Sequence, residues 1–504
     1  MSSILLVHPP IVKPCEAPPG IALLAGALAS HSIPVSVLDT NIEGLLFLVQ
    51  QAPAQSDTWT RRAFRNRAKN LEAVTRRDTY KNFDRYKRAL ADIYRLVYVQ
   101  GQVLNIHAGL SNYQDGQLSP LRSADCIEAS AQPHRNLFFS YFSKRIPSVL
   151  EELHPEWVGF SLNFLSQALT TFAMIGFLKH SAPAIKIVLG GGLVTSWMRS
   201  PAWTNPFEGI IDEMIDGPGE TALVEMLKKR PLKKSFIPCY EHFPLDSYFS
   251  PGFILPYSAS RGCYWQRCSF CPERAEKNAY IPLSSHRVKN DLQLLVSQRP
   301  PVLIHLLDNA VSPRLLKTLA LNPPGAPWYG FVRISELLAD VGFCHSLKAA
   351  GCVMLKIGLE SGNQRVLDAM DKGIDLKIAS QVLHTLRRVG IATYVYLLFG
   401  TPFEREEDAR MTLDFTVRHS ELIHFLNLAI FNLPAYGPET ESLDAEDFYD
   451  GDLTLYRRFR HPHGWHRHLV RAFLEREFKK HPAVAEIIRH GPPFFSSNHA
   501  SFFL

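Results

Sequence analysis

Three cysteines within nine residues, Cys263, Cys268 and Cys271, stand in the stretch SASRGCYWQRCSFCPERA from Ser258 to Ala275. Directly before them, GFILPYSAS is apolar and aromatic enough for a buried strand. The cysteines therefore fall on a loop at the C-terminal end of a strand, where α/β folds place their chemistry. Three thiols this close together point to a metal. Structural zinc takes four ligands in a closed tetrahedron, so it would need a distant fourth such as Cys239. An iron–sulfur cluster with one open iron needs only these three. Three plain thiols, buried or exposed, are the remaining reading.

The runs that follow set the architecture. VLIHLL (Val302 to Leu307), WYGFVRIS, CVMLKIGLESG (Cys352 to Gly362), IATYVYLLFGTPFE (Ile391 to Glu404) and FLNLAIFNLP (Phe425 to Pro434) are short apolar runs separated by helix-compatible segments. With the strand before the cysteines they make six, which predicts a partial (β/α)6 barrel rather than a closed eight-stranded one. Functional groups then belong at the C-terminal strand ends. Asp308, Asn309, Arg333, Glu360, Ser361, Gly400 and Glu404 stand there.

A second strand and helix series opens the chain. Ile4 to Val7, a proline-rich loop, the helical IALLAGALAS and the strand VSVLD form a β-α-β start. It resumes with Trp157 to Leu162, a helix from Ser166 to His180, and Ile185 to Leu189 ending in Gly190, Gly191 and Gly192. A short strand, the turn Gly217 to Glu220 and a helix close it. Such alternation implies a doubly wound parallel sheet, with glycines at strand ends that let a ligand approach the backbone. Between about residues 45 and 150 lies a helical insertion. Its residues 61–92 hold eleven Lys or Arg against four Asp or Glu, read as a solvated helix face. The proline-broken stretch 230–252 reads as a linker. In the tail, His461, His463, His466 and His468 lie in HPHGWHRH without clean helical spacing, and read as a surface segment. Cys344 and Cys352 read as packing cysteines.

A hydrophobic content of 46% and a net charge of +6 over 504 residues describe an ordinary globular chain of two or three domains. No apolar run reaches about 18 residues, so no membrane span is expected. The start MSSILLVHPP reads as a first strand rather than a signal peptide. The cysteines do not suit a secreted disulfide framework, and the expected location is the cytoplasm.

The R-G-C to C-S-F-C loop after a strand resembles the cluster-binding loop of the radical S-adenosylmethionine (SAM) superfamily. There, three cysteines hold a 4Fe–4S cluster whose fourth iron binds SAM. The common spacing is C-x3-C-x2-C; here YWQR makes the first interval one residue longer, while Phe270 supplies the usual aromatic before the last cysteine. The resemblance implies Cys263, Cys268 and Cys271 as the cluster ligands. It implies SAM contacts at Asp308, Arg333, Glu360, Ser361, Gly400 and Glu404, with Asp308 in LDNA standing where the family carries G-G-E and Arg333 paired with the SAM carboxylate. The PPG after the first strand, Ser161 to Phe164, Gly190 to Gly192 and GPGE resemble the Rossmann-like cobalamin-binding domain that precedes many such barrels. That likeness implies cobalamin contacts at Ser161, Asn163, Gly190, Gly191 and Gly192. The histidine motif D-x-H-x-x-G is absent after the first strand; the segment from Asp39 to Gly44 imitates it with Asn41 at the histidine position, a coincidence of sequence.

The expected fold class is thus α/β: a Rossmann-like sheet over 1–235 with a helical insertion, a linker over 236–252, a partial radical SAM barrel over 253–435, and a small helical tail over 436–504. The implied activity is radical C–H functionalisation through a 5′-deoxyadenosyl radical, with cobalamin-dependent methyl transfer as the first reading. A radical SAM enzyme without cobalamin, doing cyclisation, oxidation or rearrangement, is the second, and a zinc-stabilised scaffold the third. The implied cofactors are a 4Fe–4S cluster, SAM and cobalamin. The implied partners are a small-molecule or peptide substrate and a reductant such as flavodoxin or ferredoxin, with no nucleic acid.

Overall fold

The computed structural model describes residues 3–53, 57–228, 236–448, 450–494 and 499–504. The chain forms two compact units. The first comprises Met1–Phe253 with two short segments of the tail, and the second begins at Ile254. The stretch read as a linker is part of the first unit. Its residues 230–235 lie outside the described residues, but beyond them Tyr240, Phe243, Leu245, Tyr248 and Phe249 are buried, and Tyr248 donates its hydroxyl to Asp39. Prolines break the periodicity there, yet the aromatic residues still bury enough apolar surface to pin the segment down.

In the first unit, β1 (Ile4–Val7), β2 (Val35–Leu38), β3 (Trp157–Ser161), β4 (Lys186–Gly190) and β5 (Glu213–Met214) form a parallel sheet in the order β2-β1-β3-β4-β5. This doubly wound order reverses direction between β1 and β3, the crevice where such sheets bind ligands. The insertion is helical over Thr58–Arg65, Arg67–Thr75, Phe83–Gln102, Ser123–Ala131 and Phe139–Leu153. An antiparallel pair, Ile106–Ala108 with Tyr113–Asp115, interrupts it. Asp92 is buried and accepts from Trp59, Arg62 and Asn70, which ties three of its helices together while the other cations stay at the surface.

In the second unit, β6 (Ile254–Tyr257), β7 (Leu303–Leu306), β8 (Trp328–Val332), β9 (Cys352–Glu360), β10 (Ala392–Phe399) and β11 (Phe425–Ile430) are parallel and follow one another in chain order. Helices cover the connections, so strands such as β9 are apolar along almost their whole length. The connecting helices carry ordinary stop and start signals. Asp375 caps Leu376–Val389 by accepting from the Lys377 and Ile378 backbone, and Gly390 ends it in a left-handed turn with φ +73°. The first residues of the strands, among them Ile254, Leu303, Tyr329, Met354, Ala392 and Phe425, pack together with Ala500. Phe503 and Leu504 pack against that cluster. The bottom of the barrel is therefore filled, and the C-terminal strand ends are left for function. Beyond β11 the tail adds a small antiparallel sheet of Leu433–Pro434, Ala445–Asp447 and Tyr456–Phe459 to its helices. No described helix is long and apolar enough to cross a membrane.

Candidate active site

The cysteine loop leaves β6 through Gly262, whose φ is +68°. A Cβ there would lie 2.5 Å from the Ala279 carbonyl oxygen, so only glycine admits the turn into Cys263. The four residues between Cys263 and Cys268 are used for anchoring. Gln266 takes a left-handed φ of +54°. Trp265 donates Nε1–H to the Asp371 carbonyl at 2.9 Å, Arg267 pairs with the Asp371 carboxylate, and the Ser269 N–H reaches the Met370 carbonyl at 3.0 Å. The longer first interval thus docks the loop on residues 370–373, beyond the helix that follows β9.

Three of the strand-end residues hold this loop or its anchor. Asp308, buried just past β7, accepts from the Ala259 N–H at 3.1 Å and from the Ser260 hydroxyl; burial raises its carboxyl above the usual range. Arg333, buried past β8, stacks on Trp265 at 4.1 Å, lies 3.7 Å from Cys268 Sγ and donates to the Lys372 carbonyl. Glu360 ends β9, where the register with β10 shifts between Gly358 and Glu360, and has a left-handed φ of +69°. A bulge beside a left-handed residue re-aims a side chain and is held only by its surroundings. Here the holding group is Lys372, whose Nζ meets Glu360 Oε1 at 2.7 Å and lies 5.3 Å over the Phe270 ring.

The other three expected SAM contacts form a separate group. Ser361 is fully buried against Thr412, at 3.2 Å. Gly400 donates its N–H to Glu404, and Glu404 also accepts from Trp465 Nε1 at 3.0 Å. Glu404 is buried, and among the described residues its Oε1 has no hydrogen-bond partner. Burial pushes its carboxyl up to about 8, so it is mostly protonated at neutral pH. The histidine segment of the tail is therefore not merely a surface run. His461 and Trp465 are buried because they grip this loop, His461 through the Thr401 carbonyl at 2.8 Å. A folded pKa above the unfolded one means that the contribution of Glu404 is fully present below about pH 4.5 and lost as pH rises through about 8. Glu404→Gln, which cannot ionise, is expected to flatten the loss of thermal stability between about pH 5 and 9, with a gain of several kcal/mol at the alkaline end. Parallel pH profiles for the two proteins would show that the carboxyl is solvated instead.

Burial raises the thiol of Cys268, opposed by Lys372 and Arg333. It pushes that of Cys271 up to about 11. All eight cysteines are free, and among the described residues no three His, Cys, Asp or Glu side chains converge as a metal-holding group. Cys239, the distant fourth ligand considered for zinc, belongs to the first unit, where its N–H donates to the Ala22 carbonyl. The donor set is three thiols on one loop beside two cations. That chemistry fits a cluster with one iron lacking a protein ligand, whereas a closed zinc site would need a fourth ligand from outside the loop. Cys344 and Cys352 are buried in the core, away from solvent.

In the first unit the structure brings all five expected cofactor residues to the ends of β3 and β4. Asn163 donates Nδ2–H to the Ser161 hydroxyl at 3.0 Å and accepts the Gly192 N–H at 2.9 Å. Leu162 N–H reaches the Gly190 carbonyl at 2.7 Å. Gly191 has a φ of +115°, and a Cβ there would lie 2.4 Å from the Leu162 carbonyl oxygen. Gln167 accepts the Asn163 and Phe164 N–H groups and donates to the Pro9 carbonyl at 2.7 Å, joining this turn to the loop after β1. Asn41 clamps the Val12 N–H and carbonyl at 2.9 and 3.0 Å, and Asp39 caps its helix, so that segment is structural. The sequence reading passed over His8. It is buried at the end of β1, beside the reversal point, and its Nδ1 has no hydrogen-bond partner among the described residues. Its place directly after the first strand was the available signal.

Residues 257–416 match the Radical SAM superfamily model. The chain is 23% identical over 310 residues to the uncharacterized methyltransferase PH0819 of Pyrococcus horikoshii, a match covering 54% of this chain and 66% of that protein. Among solved structures it is similar to the radical SAM methyltransferase TsrM from Kitasatospora setae, with cobalamin and a [4Fe-4S] cluster bound. The TM-score is 0.54 at 17% identity, covering 88% of this chain and 78% of that one. The cobalamin-dependent SAM radical enzyme OxsB with aqua-cobalamin gives a TM-score of 0.51 at 15% identity, over 84% of this chain and 53% of that one. With the cysteine loop at the mouth of a six-stranded parallel barrel and a doubly wound sheet before it, the chain carries a region matching the Radical SAM superfamily over residues 257–416, preceded by a Rossmann-like doubly wound domain.

Proposed function

We propose that this protein is a radical SAM enzyme, and a cobalamin-dependent methyltransferase within that class. The observation that carries the reading is the cysteine loop, which leaves the first strand of the barrel and is held by groups from the next three strand ends: Asp308, Arg333 and Glu360, the last through Lys372. Cys263, Cys268 and Cys271 would hold a 4Fe–4S cluster, and the turn of Ser161, Asn163 and Gly190 to Gly192 would border cobalamin. When bound, the cluster delivers one electron that splits SAM into methionine and a 5′-deoxyadenosyl radical, and cobalamin carries the methyl group to be transferred. Asp308 fixes the backbone at which the loop begins. Arg333 and Lys372 place positive charge beside Cys268, favouring thiolate and an anionic ligand there. Arg333 and Glu360, at adjacent strand ends, are the residues best placed for the polar part of SAM. Ser361, Gly400 and Glu404 would act through packing instead, because Ser361 and Glu404 are closed off by Thr412 and the tail.

The reading is tested by expressing the chain with cobalamin and iron–sulfur assembly supplied, then counting metals and products without oxygen. About four irons per chain, stoichiometric cobalt, and both S-adenosylhomocysteine and 5′-deoxyadenosine are expected. Iron without cobalt would keep the radical chemistry and remove methyl transfer from cobalamin. Zinc in place of iron would overturn the enzyme reading.

A further inference from the structure

The helices Ser285–Gln298 and Pro313–Leu321, which follow β6 and β7, border an open groove of about 580 Å³ on the second unit. Its lining includes His286, Lys289, Arg314 and Lys317, and no acidic residue. Lys289, Arg314 and Lys317 are exposed. Among the described residues none of the three has an ion-pair partner, whereas Arg287 on the same helix pairs with Asp291. Arg314 is oriented by donating Nε–H to the Ser285 hydroxyl at 3.2 Å. At the far end Leu321 is 82% exposed. Three uncompensated cations on facing helices repel one another, and an anionic surface laid across them relieves that cost. An open groove with an apolar residue at its end suits a protein surface, with Leu321 as a contact point inside a polar rim.

The groove is also tied to the cysteine loop by backbone. Leu283, two residues before its first helix, donates its N–H to the Ala259 carbonyl at 2.8 Å. Ala259 in turn donates to Asp308. We propose that this groove docks an acidic electron-carrier protein that delivers the single electron SAM cleavage consumes. The inference rests on the radical SAM reading above. The carrier is oxidised by one electron, which enters at the cysteine loop, and no proton or group is transferred between the two proteins.

The test uses the full-length reconstituted protein and reduced flavodoxin as the probe. Lys289→Glu, Arg314→Glu and Lys317→Glu together are expected to weaken flavodoxin binding at least about tenfold at low salt. They should lower flavodoxin-driven 5′-deoxyadenosine formation in parallel, while leaving the dithionite-driven rate unchanged. The milder pair Lys289→Gln and Lys317→Gln should fall between, and added salt should bring wild type toward the variants. Unchanged flavodoxin binding in the reversed variant would overturn the proposal. So would an equal loss with dithionite, or a loss confined to binding of an RNA oligonucleotide. Absence of dithionite-driven cleavage in wild type would instead defeat the radical SAM reading, while the binding measurement still reads the groove.

Discussion

Cys268→Ala is expected to abolish iron incorporation at the barrel mouth and, with it, SAM cleavage. Of the three loop cysteines, Cys268 is the buried one, and Arg333 lies 3.7 Å from its sulfur. A ligand in that position loses both its bond to iron and the cation that favours its thiolate when it becomes a methyl group. Two thiols would remain on the loop, one short of the three a cluster with one open iron takes. The loop itself should stay folded. Its anchors are Trp265 on Asp371, Ser269 on Met370 and Asp308 on Ala259 and Ser260, none of which involves the Cys268 side chain. The control is Cys344→Ala. That thiol is fully buried and donates to the Leu338 carbonyl at 3.2 Å. It should retain full iron and lose on the order of 1 kcal/mol of stability from the vacated volume and the lost weak bond. Iron and sulfide per chain, measured beside circular dichroism, separate the two. A Cys268→Ala protein that keeps about four irons would show that the cluster is held elsewhere.

The barrel was legible because its inner strands are covered on both faces. Burial on two sides writes a continuous apolar run, and CVMLKIGLE or ATYVYLLF cannot be placed at a surface without cost. The cysteine loop was legible because its donors are local, within nine residues. What holds the loop was not. Trp265 meets Asp371 across 106 positions, Arg333 meets Cys268 across 65, and Ala259 meets Asp308 across 49. No spacing rule reaches that far, so strand-end residues assigned from the sequence to a ligand are found gripping the loop that would carry it. The tail was legible in part: His463 and His468 are exposed as a surface segment should be, while the burial of His461 was hidden for the same reason. HPHGWHRH has no periodicity, and only the distant carbonyl of Thr401 and carboxyl of Glu404 explain why His461 and Trp465 are buried. Turn chemistry written in one residue survived better: Gly262 and Gly191 stand where no Cβ fits.

Lys372→Met is expected to destabilise the second unit by about 3–5 kcal/mol, the range for removing one partner of a buried ion pair. The side chains of Lys372 and Glu360 are 6% and 11% exposed, and their charged atoms are 2.7 Å apart. Methionine fills the same volume but leaves the Glu360 carboxylate buried without its cation. Glu360 stands at the bulge of β9 with a side chain only 11% exposed, so the carboxylate lies where ionisation without a cation is costly. The variant also loses the cation over Phe270 and disturbs the segment whose Lys372 carbonyl accepts from Arg333. The cysteine loop should therefore loosen with the barrel, and iron retention should fall along with thermal stability. The decisive comparison is the double variant Glu360→Gln with Lys372→Met. If the cost is an orphaned charge, removing the charge restores most of the lost stability, and the two substitutions are strongly non-additive. If instead Lys372 acts mainly through Phe270 and the backbone, the double variant stays as unstable as the single one. A loss below about 1 kcal/mol for Lys372→Met would mean the pair is hydrated like a surface salt bridge. In that case Glu360 would be held by its backbone alone, free to turn toward a ligand at the barrel mouth.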